Sequence, residues 1–394
     1  MPHAVIVAGA RTPIGKLGGT LAAINATDLG AHAISHALSR AKVHASDVDA
    51  VVMGNVVQAG VGPNPARQAA VSAGIPMSVP AVTINNLCLS GLQAIIDADR
   101  MIRSDDAEIV VAGGMESMSN APYLARGARS GFRFGRADFE DALERDALLC
   151  AFDRIPMGQA TERYLDSTTV SRLELDTFSA RSHAYAAEAS VNGTFASEIV
   201  PIDAKGRHGT VTLEHDEGIR PETTVAKLGT LKSTFTHDGI ITAGSSSQLS
   251  DGACAVIVMA KSTAIQRGLE WIAEIGGTAL VAGPDTSLLH QPASAITQAV
   301  KLDGRTTVDM LDLIEINEAF AGVALASMAD LGVDEQRVNI HGGAIALGHP
   351  VGMSGARIAL SLANSLKQRG GGTGAAALCG GGGQGNAVIF HRSN

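Results

Sequence analysis

Cysteine is scarce: Cys88, Cys150, Cys254 and Cys379 are the 4 in 394 residues, all far apart and none in a CxxC pair. That spacing speaks against a disulfide framework and makes reduced thiols the default. Long hydrophobic runs are missing too. AVIVAGA, AVVMG, EIVVAGG, AVIVMA and GAAALCG are each too short to cross a bilayer and are broken by glycine or charge, so no membrane span is predicted. Positive charge is in deficit. A formal net charge of -9 argues against nonspecific nucleic-acid binding, and an anionic ligand would need a local basic patch. MPHAVIVAGA enters a strand-like run without a basic stretch ahead of a cleavable apolar segment or an Arg/Ser-rich presequence, which predicts a cytoplasmic protein. His32 and His36 stand at i, i+4 without the glutamate of HExxH, so they read as a solvated helix face and no metal site is predicted.

What is abundant is apolar residue and glycine. With 45% hydrophobic and 18% charged residues, the chain can build two or more sizeable cores. Its 45 glycines cluster in AGARTPIGKLGG, GGAIALGHPVGMSG and CGGGGQG, between apolar segments, as tight connections between packed elements do. Residues 4–10, 48–54, 81–86 and 107–113 read as strands, and 26–41, 65–73 and 90–103 as helices. This alternation predicts an α/β fold with a mostly parallel, helix-covered sheet. From about 118 to 250 charges, prolines and turn residues increase and a helix is expected at 171–190; the stretch reads as an inserted lobe. Strands return at 252–260 and in WIAEIGGTALVA, and the order of the first part then repeats. LDLIEINEA echoes VDAVVMGNV, VNIHGGAIALGHPVGMSGARIALSL echoes VTINNLCLSGLQAII, and GAAALCGGGGQG echoes EIVVAGGMES; the Ser-Gly helix starts at 90–91 and 354–355 are the strongest match.

Four loops carry candidate chemistry. Cys88 lies between a strand and a helix starting near Ser90, where unpaired N–H groups and the helix dipole favour a thiolate; the competing reading is a buried structural cysteine. His349, in Gly348-His349-Pro350, is the best of 12 histidines for acid/base work, against a plain surface role. Cys379 ends a strand and opens GGGGQG. A strand rather than a helix follows, so a dinucleotide site is rejected; the glycines suit either bare N–H groups facing an oxyanion or a tight hairpin with a buried thiol. Asn317 ends LDLIEIN and suits a water-holding role or a helix cap. Cys150 and Cys254 read as core thiols. The Arg126, Arg129, Arg133, Arg136 series, followed by acidic residues, suggests salt bridges or a subunit contact, and ARTPIGK lacks the first glycine and final Ser/Thr of a phosphate loop.

INNLCLSGLQAI, NEAF, GGAIALGHPVGMSGAR and CGGGGQGNA, in this order, resemble the thiolase family, and within it the bacterial acetyl-CoA acetyltransferases; VAGARTPIGK, VAGGMESMS, DEGIR and TAGSSSQLSDGA extend the similarity over essentially the whole chain. The resemblance implies two duplicated βαβαβαββ halves in a five-layered αβαβα thiolase fold. It places the N-terminal half at 1–118 plus 250–268, a CoA-binding inserted loop domain at 119–249, and the C-terminal half at 269–394. The implied reaction is reversible condensation of two acetyl-CoA to acetoacetyl-CoA plus CoA, ping-pong through an acyl-Cys88 thioester. His349 resembles the base that activates Cys88, and Cys379 the acid/base for the second substrate. His349 with a water held by Asn317 would form one oxyanion site, and the N–H groups of Cys88 and Gly381 the other.

CoA contacts are expected from Met157, Arg220, Lys227 and Ser247, on a lobe made locally basic by Lys205, Arg207 and Lys232. CoA is substrate and product; no tightly bound cofactor, nucleic acid or membrane partner is implied, and a homotetramer is. Pro156 stands where related enzymes commonly have His, and Leu89 where Gly is frequent, which leaves acyl-chain preference open. A broader-chain 3-ketoacyl-CoA thiolase is the main alternative. A β-ketoacyl synthase-like enzyme would place two histidines beside the cysteine, and a silent acyl-CoA-binding protein would have lost nucleophile or base.

Overall fold

The central strands are buried at successive residues, so both faces of the sheet are covered and the chain stacks into layers. The computed structural model describes residues 3–206 and 209–393, so Arg207 lies outside the described residues. The N-terminal part contains β1 (Ala4–Arg11), α1 (Ala26–Ala41), β2 (Ala50–Gly54), α2 (Pro65–Ser72), β3 (Ala81–Ile84), α3 (Ser90–Arg103) and β4 (Ile109–Ser117). After the lobe, with α4 (Met157–Leu165) and α5 (Arg172–Val191), come β5 (Ser250–Ala260), β6 (Ala273–Ala282), α6 (Gln291–Asp303), β7 (Leu313–Ile316), α7 (Ala321–Leu331), α8 (Ser354–Gln368), β8 (Gly372–Gly380) and β9 (Gln384–Arg392). The strands follow the order β7-β8-β9-β6-β1-β5-β4-β2-β3. Two half-sheets meet where β1 touches β6 through only Val5↔Glu274 and Ile6↔Ala273.

Successive side chains on a strand point to opposite faces, and the apolar clusters divide accordingly. Val5, Val51, Met53, Val111, Ile257 and Met259 face one cluster with α1 and α2, while Ile6, Val52, Val110, Val256 and Val258 face a second cluster containing α3 and α8. In the other half-sheet Leu378, Val388 and Phe390 join that same central cluster, whereas Ala377, Cys379 and Ile389 face a third with α6 and α7. Helices therefore cover both outer faces and fill the space between the half-sheets, the αβαβα thiolase arrangement.

The repeated Ser-Gly starts have a steric reason. A Cβ on Gly91 would sit 2.8 Å from the backbone nitrogen of Ala356 and 2.9 Å from the carbonyl of Gly352, and one on Gly355 would run into the backbone nitrogen of Leu92. The first turns of α3 and α8 thus touch backbone to backbone, which side chains at these positions would prevent.

Two expectations need correction. The sheet is mixed: only β2–β3, β2–β4 and β7–β8 are parallel. β1–β5, β5–β4, β1–β6, β6–β9 and β8–β9 run antiparallel. β8 and β9 are joined by a short glycine turn, which can only return the chain antiparallel, and β5 comes back from the lobe antiparallel to both its neighbours. VNIHGGA, whose sequence also reads as a strand, is not one; it shrinks to one parallel bridge between Val338 and Ile314. The Asn339 side chain takes over the pairing, accepting from Ile316 N at 2.9 Å and donating to Ile316 O at 2.8 Å. The lobe is pinned by Arg11, fully buried, whose guanidinium donates to Glu198 at 2.9 Å and to both oxygens of Asp216 at 2.7 and 3.0 Å. That is the use made of the phosphate-loop look-alike. No described helix is long and apolar enough to cross a membrane.

Candidate active site

Cys88 sits in a strand-to-helix turn held by its neighbours' side chains. Ser90 Oγ accepts from Asn86 N at 2.8 Å and donates to Leu87 O at 2.6 Å, and Asn85 Oδ1 accepts from Leu87 N at 3.1 Å. Leu87 is forced to φ 51, a left-handed conformation in which a bulky side chain is unusual. The thiol is buried at 8% exposure in an apolar cluster with Val56, Val57, Met118, Leu143 and Val351. Burial pushes it up to about 11, although the N–H groups of Cys88 itself and of Gly381 both act on the sulfur to lower its pKa. The expected helix-start thiolate is thus corrected: desolvation outweighs the donors, and the resting group is a neutral thiol.

His349 enters from the other half. The imidazole is buried and its pKa falls to about 4, because burial and then the charge of Arg357 disfavour the imidazolium. Its Nδ1 lies 2.6 Å from Ser354 Oγ, which donates its one proton to Pro350 O at 3.0 Å. Ser354 must then accept from Nδ1–H, leaving Nε2 as the bare, basic nitrogen. Nε2 faces Asn317 Nδ2 at 3.5 Å. Asn317 is fully buried with its Oδ1 unpartnered among the described residues, and the N-cap of α7 is Phe320, so capping is not its role. An amide oxygen buried without a partner beside a base is a place for a donor such as a water.

Cys379 closes β8, paired with Gly385 across the β8–β9 turn, where Gly382 and Gly383 take φ 79 and 72. Of the two glycine readings the structure bears out the tight hairpin with a buried thiol, and the Gly381 N–H acts to lower the pKa of Cys88. Burial raises the Cys379 thiol, with the nearby Cys88 adding to the rise. Asn386 on β9 donates to Leu89 O at 3.2 Å, tying this hairpin to the Cys88 turn.

A cavity of about 310 Å³ opens on His349 and is lined by Met157, Ser247, Gln248, Phe235 and Phe320, with Pro156 and Leu148 on its wall. Arg220 reaches this wall indirectly, donating to Gln248 Oε1 at 3.3 Å. Lys227 does not line it; its ammonium donates to Glu222 O at 2.9 Å. A larger cavity of about 960 Å³, with Arg40, Lys42, Arg267 and Lys367 in its wall, has none of Cys88, Cys379, Asn317 and His349 in its lining. Among the described residues no group of three or more His, Cys, Asp or Glu could hold a metal. His32 and His36 are partly buried and packed ring to ring, with centroids 4.5 Å apart, rather than solvated. Cys150 and Cys254 are buried thiols as expected. Ser354 and Asn386 escaped the sequence reading. Ser354 was visible only as half of a Ser-Gly pair, and nothing in NAVIF marks Asn386 except one polar residue inside an apolar strand.

The family model described as thiolase, N-terminal domain, matches residues 4–262, and that described as thiolase, C-terminal domain, matches residues 269–392. A probable acetyl-CoA acetyltransferase of Mycolicibacterium smegmatis is 54% identical over 98% of this chain and 100% of its own. The acetyl-CoA acetyltransferase of Escherichia coli is 42% identical over 100% of both. The crystal structure of the Bacillus anthracis acetyl-CoA acetyltransferase superposes with a TM-score of 0.97 at 37% identity, covering 100% of this chain and 99% of that one. Human mitochondrial 3-ketoacyl-CoA thiolase does so at 0.94 and 39%, with the same coverage.

Proposed function

The chain belongs to the thiolase family, and we propose that it is an acetyl-CoA C-acetyltransferase that works through an acyl-Cys88 thioester. The observations that carry this reading are two pairings, Cys88 with Cys379 across the halves and His349 with Asn317, together with Val351 of the His349 turn packed in the cluster around Cys88. Because thiol and imidazole are both neutral at rest, acylation is general-base catalysed: His349 Nε2 takes the Cys88 proton as sulfur attacks the thioester carbonyl, and CoA thiolate leaves with that proton. The developing oxyanion needs donors in place beforehand, each worth about 3 kcal/mol. The N–H groups of Cys88 and Gly381 supply one pair; protonated His349 with a water on Asn317 supplies the other.

In the second half-reaction Cys379 takes a proton from the methyl group of a second acetyl-CoA. A thioester methyl is a weak carbon acid, so a thiolate of high basicity suits the task; burial gives Cys379 that basicity but keeps it a thiol at rest, so it first passes its own proton to neutral His349, and the Cys88 thiolate released at the end takes that proton back. The carbanion attacks acyl-Cys88 and acetoacetyl-CoA forms; thiolysis reverses the steps. CoA is substrate and product, with Met157 and Ser247 on the cavity wall and Arg220 behind it as the contacts that fit best. Lys227 is retained as an outer contact only. The proposed division is an N-terminal half of 1–118 plus 250–268, a loop domain of 119–249 and a C-terminal half of 269–394; we also assign a cytoplasmic homotetramer.

Cys88→Ser should nearly abolish turnover of acetoacetyl-CoA with CoA, measured as loss of the thioester; an active Cys88→Ser enzyme would falsify the assignment. Cys379→Ser should still acylate on Cys88 yet fail to exchange methyl protons of acetyl-CoA with deuterium. A broader-chain 3-ketoacyl-CoA thiolase is a second reading, supported by the apolar wall that Leu148, Pro156 and Leu249 give the cavity. Rates across a series of 3-ketoacyl-CoA lengths decide between them: a maximum at four carbons supports acetyl specificity, a maximum at longer chains the alternative.

A further inference from the structure

One buried carboxylate reaches both halves of this site. Glu116, near the end of β4, is fully buried and accepts four hydrogen bonds. Its Oε1 accepts from Asn55 Nδ2 at 2.9 Å and Val57 N at 3.1 Å; its Oε2 accepts from Val56 N at 3.0 Å and Gly352 N at 3.0 Å. Gly352 belongs to the turn that follows His349-Pro350. The 55–57 loop leads the other way: Asn85 donates to Val56 O at 3.3 Å, while its Oδ1 accepts from Leu87 N, the strained residue before Cys88. Val56 and Val57 also pack around the thiol.

From this geometry we propose that Glu116 is a positioning residue that fixes the Cys88 turn of one half and the His349 turn of the other relative to each other. The inference rests on the Cys88–His349 reading above. A packing role alone does not explain the residue: burial pushes its carboxyl up to about 7 while the N–H groups of Val56, Val57 and Gly352 favour its charged form, and burying a carboxyl is costly unless its acceptors are filled. Here every partner is a donor from a segment that carries or contacts a reacting group. Glu116→Gln keeps the shape but turns one oxygen into an NH₂ facing two N–H donors, and Glu116→Asp is a methylene too short to hold all four.

The experiment measures steady-state rates and single-turnover acylation of Cys88 by acetoacetyl-CoA in the full-length enzyme. For Glu116→Gln, kcat and the acylation rate should fall together, on the order of 10- to 100-fold, with KM within about threefold, as expected of a sub-ångström misplacement of base and thiol. Asn85→Ala, on the exposed side of the relay, should slow the same step by a smaller factor and keeps the proposal testable should Glu116→Gln not fold. Asp303→Asn, which removes a buried carboxylate from the Gly277–His391 cluster outside the site, should lower the melting temperature with kcat unchanged. Soluble Glu116→Gln with wild-type acylation, or Asn85→Ala with wild-type acylation where Glu116→Gln does not fold, overturns the inference. If Cys88→Ser is inactive in the same assay, such a result counts against Glu116 alone and leaves the nucleophile assignment standing.

Discussion

At the scale of single residues, the site works with groups that burial has made neutral. Cys88 is pushed up to about 11 and His349 down to about 4, so neither carries charge near neutral pH until substrate arrives. The consequence can be measured with an alkylating agent that reacts only with thiolate. Below a pKa the thiolate fraction grows tenfold per pH unit, so inactivation by iodoacetamide should keep accelerating from pH 7 to pH 10 without a plateau; a plateau near pH 7 would mean a preformed ion pair. Sequence position alone suggested the opposite for Cys88, because helix-start donors are local and visible in a sequence. The apolar cluster that outweighs them is assembled from residues 56, 118, 143 and 351, which no local pattern connects.

At the scale of elements, the first turns of α3 and α8 hold the geometry. Their contact is backbone on backbone at Gly91 and Gly355, so a methyl group there has no flexible neighbour to displace. Gly355→Ala should destabilise the protein by about 3 kcal/mol, read from urea unfolding, the upper end of what overpacking typically costs, because the contact is rigid. Gly322→Ala, whose added methyl would meet only the Leu165 side chain, should cost less. The helices at 26–41 and 90–103 were legible to the residue because their apolar faces and ends coincide. Strand direction was not, because alternation of strand and helix suggests parallel pairing and says nothing about a strand such as β5 that returns from a long insertion. The strand expected in VNIHGGA failed for a different reason: a single side chain, Asn339, replaces its ladder.

At the scale of the whole molecule, the lobe leaves apolar surface outside. Phe134 is fully exposed, Phe132 and Phe139 are more than half exposed, and the only pairing of the nearby arginine series is Arg126 with Glu140 at 3.4 Å among the described residues. Isolated aromatics on a basic loop suit a contact between subunits. Light scattering should therefore give a mass above the 40.3 kDa of one chain, and a Phe132→Ser/Phe134→Ser double variant should shift it downward; a wild-type monomer would count against the proposed tetramer.

The groups proposed to react are shared between the two matched regions, residues 4–262 and 269–392. A polypeptide severed in the short connection between them would yield one fragment bearing the proposed nucleophile and another bearing its proposed proton acceptor and the second thiol. Neither piece could complete a turnover alone, and catalysis restored on mixing the two would report directly on their reassembly.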